Sequence, residues 1–323
     1  MQKIAVVIPC YKVKDHIIEV LSHIGDDVCK IYCVDDACPE GSGVFITQNT
    51  NDPRIEVITH DVNKGVGGAT MTGYQKAAAD GMDIAVKIDG DGQMDPQLIA
   101  HFTQPIADNI CDYTKGNRFY RIEDIQHMPK IRVFGNAVLS FMTKISSGYW
   151  NLFDPTNGYT AISCKLIPFL PLEKVNNRYF FESDLLFRLN TMRCVVQDIP
   201  MQAVYGDEES NLSVKKIIGP FLKGHTKNFA KRIFYNYFLR DFSVASIELV
   251  LGSFMLLFGC VWSASKWYAS VSSGEVSSAG TVMIGMLFIL VGTQLLLSAL
   301  HYDQRNIPDT PIHKRLPGQK PKN

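Results

Sequence analysis

Ile84-Ala85-Val86-Lys87-Ile88-Asp89-Gly90-Asp91-Gly92-Gln93-Met94-Asp95-Pro96 decides the fold. Its first part, Ile84–Ile88, reads as a buried strand, because it is short, mostly apolar and stopped by a polar, glycine-rich turn. Acidic side chains then emerge at its tip. Lys3–Ile8, Lys30–Val34 and Ile55–Thr59 have the same character. Helical patterns near Asp15–Ile24, Val44–Asn49 and Gly67–Asp80 lie between them. Strand–helix–strand alternation implies parallel pairing with right-handed crossovers, hence an open α/β sheet. In such sheets ligands bind beyond the carboxyl ends of the strands.

Asp89 and Asp91 stand two apart with a glycine between, so both carboxylates can approach one divalent cation. Mg²⁺ and Mn²⁺ prefer such oxygen ligands, completed by phosphate oxygens and water. A nucleotide diphosphate needs that cation, both to bind beside carboxylates and to depart as an anion. A Ca²⁺ loop is disfavoured, since its further Asp or Asn and distant Glu are not in register. At the second strand's end, Asp35 and Asp36 can accept from ribose hydroxyls or a base N–H; they can equally cap the next helix. Asn63-Lys64-Gly65-Val66-Gly67-Gly68-Ala69 opens a helix. Such a loop either cradles phosphate on its N–H groups or makes a tight packing turn. It lacks the Lys-Ser/Thr spacing of a P-loop.

The 323 residues carry equal numbers of cations and anions, so no global field marks a nucleic-acid binder. The eight cysteines are scattered without a Cys-x-x-Cys pair, which fits reduced thiols. No signal peptide is visible at the start, which places the first domain in the cytosol. The last third changes character. Residues 243–264 and 280–299 are almost wholly apolar and long enough for a bilayer core of about 30 Å. Lys215, Lys216, Lys223, Lys227, Lys231, Arg232 and Arg240 precede the first span; Arg305, Lys314, Arg315, Lys320 and Lys322 follow the second. The positive-inside rule then puts both termini in the cytoplasm, giving an integral membrane protein with a cytoplasmic catalytic domain. In Lys215–Arg240 the cations alternate with Ile217, Phe221, Leu222, Phe229, Phe234 and Tyr237, the composition of helices in the headgroup plane. The expected organisation is therefore an α/β domain over 1–212, interfacial helices over 213–241, two spans within 242–300 and a disordered tail over 301–323. Gly252, Ser253, Gly259, Gly285 and Gly292 offer close helix contact, within the hairpin or in a homo-oligomer.

The sequence also resembles family 2 glycosyltransferases of the GT-A fold, most of all the polyprenyl-phosphate (dolichol-phosphate mannose synthase-like) branch. The likeness rests on Val7-Ile8-Pro9-Cys10-Tyr11, Val34-Asp35-Asp36, Asn63-Lys64-Gly65, Asp89-Gly90-Asp91-Gly92-Gln93, Lys115-Gly116-Asn117-Arg118-Phe119, Asp154-Pro155-Thr156-Asn157-Gly158-Tyr159 and Glu182-Ser183-Asp184. It covers about residues 3–215 and implies a Rossmann-like nucleotide-sugar domain performing an inverting transfer. Pro9, Tyr11, Asp36 and Lys64 would then surround the nucleotide. Asp89, Asp91 and Gln93 would hold the metal and diphosphate. Arg118 and Asp154 would flank the acceptor phosphate or donor sugar, Glu182 and Asp184 would line the acceptor side, and Ser210 and Lys215 would belong to an acceptor-phosphate loop. Two departures stand out. Lys12-Val13-Lys14-Asp15 replaces the Asn-Glu that many members carry, and the processive Gln-x-x-Arg-Trp signature is absent.

The implied partners are a nucleotide-sugar donor, a polyprenyl-phosphate acceptor and the membrane. A lipid phosphate is largely ionised at neutral pH and needs no strong base. A hydroxyl acceptor is the alternative; it needs a carboxylate base, and among Asp154, Glu182 and Asp184 the choice falls on Asp184. A non-catalytic membrane scaffold is disfavoured by the intact acidic and basic motifs.

Overall fold

Ile4–Cys10 (β1) is apolar on both faces, the pattern of a strand covered on two sides. It lies inside a seven-stranded sheet of order β3-β2-β1-β4-β6-β5-β7. The other strands are Val28–Asp35 (β2), Ile55–Thr59 (β3), Ile84–Lys87 (β4), Tyr113–Asn117 (β5), Thr160–Ser163 (β6) and Val196–Pro200 (β7). Strand β1 pairs in parallel with β2 and β4, β2 with β3, and β5 with β7; β6 runs antiparallel to β4 and β5. The molecule is a computed structural model describing residues 2–120, 130–202 and 214–317. The expected α/β architecture with a mostly parallel sheet is the one observed. Contact clustering divides the chain into two units, residues 1–229 with 308–323, and residues 230–307.

In the first unit Ile17–Ser22 (α1), Ser42–Asn49 (α2), Gly65–Ala79 (α3) and Ile99–Ala107 (α4) connect the early strands. Val6, Ile8, Ile31, Cys33, Val86, Ile88 and Phe102 form the core of that half. The strand directions decide where a site can lie. Strands β1, β2, β3 and β4 end on one edge. Because β6 is antiparallel to both β4 and β5, β5 ends on that edge and β6 begins there. Asp89, Arg118 and the Asp154–Gly158 loop therefore converge although distant in sequence.

Lys130–Ser147 (α5), Phe181–Thr191 (α6) and Val214–Phe234 (α7) complete this region. Helix α7 departs from the purely interfacial expectation. Phe221, His225 and Asn228 are buried at helical spacing, with Ser146 and His225 Nδ1 2.8 Å apart and Asn228 bonded to Asp184. Ile218 and Leu222 remain exposed, with Lys223 and Lys227 on the solvent side.

The expected disordered tail is folded in part. Asp112 is wholly buried, so its carboxylate must find donors inside the protein. It accepts from the N–H of Val195 (2.8 Å), Ile312 (3.0 Å) and His313 (2.9 Å), and stands 2.7 Å from His313 Nδ1. A Pro- and Lys-rich composition hides this, since the partner lies some 200 positions upstream. His313→Ala leaves one buried carboxylate oxygen short of a donor. It is expected to lower stability by about 1–3 kcal/mol. Urea unfolding of the full chain in detergent checks this, and an unchanged midpoint refutes it.

The second unit holds Val244–Ser273 (α8) and Ala279–Arg305 (α9), longer than the expected spans. Both are long and apolar enough to cross a membrane, with mean hydropathy 2.1 and 2.2 over their best windows. Only 22% and 17% of those windows are buried, unlike the core helices of a soluble domain. The small residues serve contact inside the hairpin: a Cβ on Gly292 would stand 2.6 Å from Leu256 N, and one on Gly259 2.9 Å from Ile289 N. Arg232 is turned inward rather than toward headgroups, paired through both terminal nitrogens with Asp303 at 2.6 and 3.0 Å. Tyr237 donates to the same carboxylate at 2.6 Å.

Candidate active site

The acidic tip of β4 is built around a buried lysine. Lys87 is the last residue of β4 and 1% exposed, and its ammonium stands 2.6 Å from Asp89 Oδ1. A Cβ on Gly158 would come within 2.3 Å of Lys87 Nζ and 2.9 Å of Asp89 Oδ2, so any larger residue there would displace this pair. Asp91 Oδ1 accepts the N–H of Gln93 at 3.1 Å, a local turn completed by Gly92 at φ +77°. Asp89, Asp91 and Gln93 are all partly exposed at the edge.

Across the edge, Arg118 follows β5 and grips Asp154 with two parallel bonds of 2.8 Å. Asp154 Oδ2 also accepts the Arg118 N–H (3.1 Å) and an Asn157 side-chain N–H (3.2 Å). Burial opposes the charge on Asp154, but the Arg118 guanidinium and the Lys115 ammonium outweigh it and hold the carboxyl below its ordinary value. Asp154 adopts φ +51°, a left-handed conformation uncommon outside glycine. Lys115, itself buried, pins this turn by donating to the carbonyls of Phe153 and Asp154, the latter at 2.7 Å. Asp198 backs the arrangement by accepting from Phe153 N (2.8 Å) and Asn117 Nδ2 (3.0 Å).

On the nucleotide side, Pro9 is the penultimate residue of β1 and partly buried, and Tyr11 and Lys64 are exposed. The two acids after β2 are not. Asp35 is spent on the N–H groups of Cys38 (2.8 Å) and Gly43 (2.6 Å), at the start of α2. Asp36 takes the N–H groups of Lys64 (2.8 Å) and Gly65 (2.6 Å) and stands 2.7 Å from His60 Nδ1. Of the two readings open for these carboxylates, helix capping is the one their contacts describe. The glycine loop likewise makes a packing turn: the N–H groups of Gly67 and Gly68 are taken by the Asn177 carbonyl at 2.9 and 3.2 Å. Gly65, at φ +83°, has no room for a Cβ, which would lie 2.5 Å from that same oxygen.

Asp184 is unsuited to the role of base. Its Oδ2 accepts from Asn176 N (2.9 Å) and from Arg188 Nε (3.2 Å) and Nη2 (3.1 Å), while Oδ1 accepts from Asn228 (3.0 Å). It anchors α6 rather than facing a ligand. Glu182, two residues earlier, feels the charges of both Lys87 and Asp89. Burial pushes its carboxyl up to about 8, against the pull of Lys87 and with the push of Asp89. Ser210 and the side chain of Lys215 lie outside the described residues. Among the described residues no group of three or more His, Cys, Asp or Glu side chains is arranged to hold a metal ion.

Sequence reasoning quoted Lys87, Lys115 and Asn157 within motifs but gave them no role, and it passed over His60 and Asp198. A lysine inside an otherwise apolar strand was the one available signal. It pointed to a buried cation that needs a partner.

A sheet edge carrying paired acids opposite an arginine–aspartate clamp defines a nucleotide-sugar transferase site on an α/β scaffold. The chain belongs to Glycosyl transferase family 2, which matches residues 5–168. It is 33% identical over 166 residues to a UDP-N-acetylglucosamine–dolichyl-phosphate N-acetylglucosaminyltransferase of Methanococcus voltae, a match spanning 51% of this chain and 66% of that relative's length. It is 25% identical over 221 residues to an undecaprenyl-phosphate mannosyltransferase of Micrococcus luteus, covering 67% of this chain and 88% of the other. The fold is that of mannosyl-3-phosphoglycerate synthase from Rubrobacter xylanophilus, at TM-score 0.53 and 14% identity over 75% of this chain and 77% of that one.

Proposed function

We propose that this protein transfers a sugar from a nucleotide-diphosphate sugar to a membrane polyprenyl phosphate, with inversion at the anomeric carbon. The observation that carries the acceptor class is the state of the three candidate bases. Asp154 is locked to Arg118, Asp184 is bonded through both oxygens, and Glu182 is held mostly protonated at neutral pH. A hydroxyl acceptor would need a base, and of the three only Glu182 is left to serve as one; an ionised phosphate needs none. The names of the relatives support the same class.

In this reading an oxygen of the lipid phosphate attacks the anomeric carbon as its bond to the diphosphate breaks. The diphosphate carries the electron pair away. Arg118, one-quarter exposed on the edge, meets the acceptor phosphate, and Asp154 fixes its angle of approach. Neutral Glu182 adds no charge to repel the incoming anion. Tyr11 and Lys64 face the nucleotide. The donor set at the β4 tip fits a divalent cation: two partly exposed carboxylates suit an ion that keeps water and substrate phosphate among its ligands. Asp89 and Asp91, with Gln93 beside them, would hold Mg²⁺ or Mn²⁺, which would supply charge to the departing diphosphate. Helices α8 and α9 would cross the bilayer, and the flanking cations support a catalytic domain on the cytoplasmic side.

The test is a donor panel. Purified protein is offered UDP- and GDP-sugars with a polyprenyl phosphate and Mn²⁺ or Mg²⁺, and glycolipid is read by mass spectrometry; no product with any donor sinks the proposal. Glu182→Gln separates the acceptor classes. With a phosphate acceptor it keeps activity at pH 7 within about tenfold, because both side chains are neutral there. A hydroxyl acceptor using Glu182 as base would lose about 10²–10⁴-fold. The raised carboxyl fixes the sign of the pH dependence: Glu182 gains charge only above about pH 8. Wild-type transfer therefore falls there and Glu182→Gln does not.

A further inference from the structure

Lys87 has no role in the reaction as described, yet it sits at its centre. Its ammonium is enclosed, with the Phe181 ring centre 5.7 Å away and the Gly158 backbone pressed against it. A buried ammonium must be paired, and Asp89 Oδ1 at 2.6 Å is that pair. The consequence is a matter of charge. Lys87 cancels the charge that Asp89 contributes to the tip. A divalent cation arriving alone meets that much less negative charge, and one carboxylate oxygen already bound. A cation arriving with a diphosphate meets much more negative charge and extra oxygen ligands. Lys87 is shielded from water while the Asp89 side chain is 30% exposed, so the pair is half-buried and its attraction exceeds that of a fully exposed surface pair.

We propose that Lys87 makes cation uptake conditional on the nucleotide: it holds and neutralises Asp89, so that Mg²⁺ or Mn²⁺ binds together with the nucleotide rather than before it. Lys87 is thus a positioning residue acting through Asp89. The inference rests on the reading of Asp89 and Asp91 as the cation pair. It predicts weaker binding of the cation alone than two aspartates without the lysine would give.

The experiment measures Mn²⁺ binding to the full chain in detergent, from the paramagnetic resonance signal of free Mn²⁺, with and without UDP. Wild type is expected to bind Mn²⁺ at least about tenfold more weakly without UDP than with it. Lys87→Met should bind Mn²⁺ alone about tenfold more tightly than wild type, so that the effect of UDP shrinks below about threefold. Lys87→Arg, which keeps the charge, should behave as wild type. If Lys87→Met does not fold, as judged by its thermal transition, Lys87→Gln removes the charge while keeping a donor for Asp89 and reads the same way. Uptake by wild type with UDP, together with an unchanged UDP dependence in the neutral variants, overturns the role of Lys87 alone. Failure of wild type to take up Mn²⁺ even with UDP, or undiminished uptake by Asp91→Asn, overturns the cation pair as well.

Discussion

Asp154→Ala is expected to destabilise the catalytic domain by about 3–5 kcal/mol, the cost of breaking a buried ion pair from one side. Asp154 is wholly buried and accepts from Arg118 through two side-chain bonds and one backbone bond. Its removal takes two charge-assisted bonds from the guanidinium and leaves the Lys115 ammonium without a nearby compensating carboxylate charge from Asp154. Alanine at φ +51° adds left-handed strain of about 1–2 kcal/mol. Asp154→Asn separates the two costs, since asparagine tolerates that conformation and keeps the shape while losing the charge. It should fall between alanine and wild type. The folded carboxyl lies below its ordinary value, so its stabilisation is present above the unfolded pKa of about 3.9 and is lost as pH falls below that. The gap between wild type and Asp154→Asn should therefore narrow from pH 7 toward pH 3. Transfer should fall in both variants, because Arg118 loses its fixed direction. Urea unfolding across pH gives the first result and glycolipid formation the second; a stability loss below 1 kcal/mol for alanine would contradict the ion-pair account.

The sequence was most legible where one local pattern decides the structure. A short apolar run ending in glycine and aspartate has few alternatives to a strand with an acidic tip, and β4 is that strand. Strand–helix alternation gave the sheet for the same reason. The side-chain roles were less legible, because an aspartate at a strand end can face a ligand or its own backbone. Asp35 and Asp36 turned to the backbone, since the turns after β2 and before α3 left N–H groups without acceptors. Asp184 carried a readable warning that went unused. Arg188 stands four residues on, the spacing of a helical ion pair, and residues two apart on a helix face different ways. Glu182 and Asp184 could not both line one site. Docking of the tail on Asp112 had no local signature, because the contact spans 201 positions. In the sequence Arg232 is one cation among several along α7, and only its pairing with Asp303 shows that it faces inward.

Asp91→Asn should cost more activity than any other single-atom change in this chain, with kcat/KM lower by about 10²–10³-fold, the loss seen when one group stabilising a departing anion is removed. The asparagine variant is the sharper test, because its side-chain oxygen can still accept the Gln93 N–H that shapes the turn at 3.1 Å. Fold and turn are then kept and only the charge is lost. Asp91 matters more than its neighbour on electrostatic grounds. Asp89 is held by Lys87 at 2.6 Å, so its charge is largely answered before a cation arrives, and the charge of Asp91 adds to what remains. Two comparisons give the result its meaning. Chelation with EDTA should lower wild-type transfer by a similar factor, and added Mn²⁺ or Mg²⁺ should restore it. The same additions should rescue Asp91→Asn only at far higher concentration, since the substitution weakens uptake of the ion and leaves the remaining groups in place. A change confined to kcat, with metal dependence like that of wild type, would mean that Asp91 acts on the reacting sugar and not on a cation. Full transfer by Asp91→Asn in the presence of EDTA would remove the metal from the mechanism altogether.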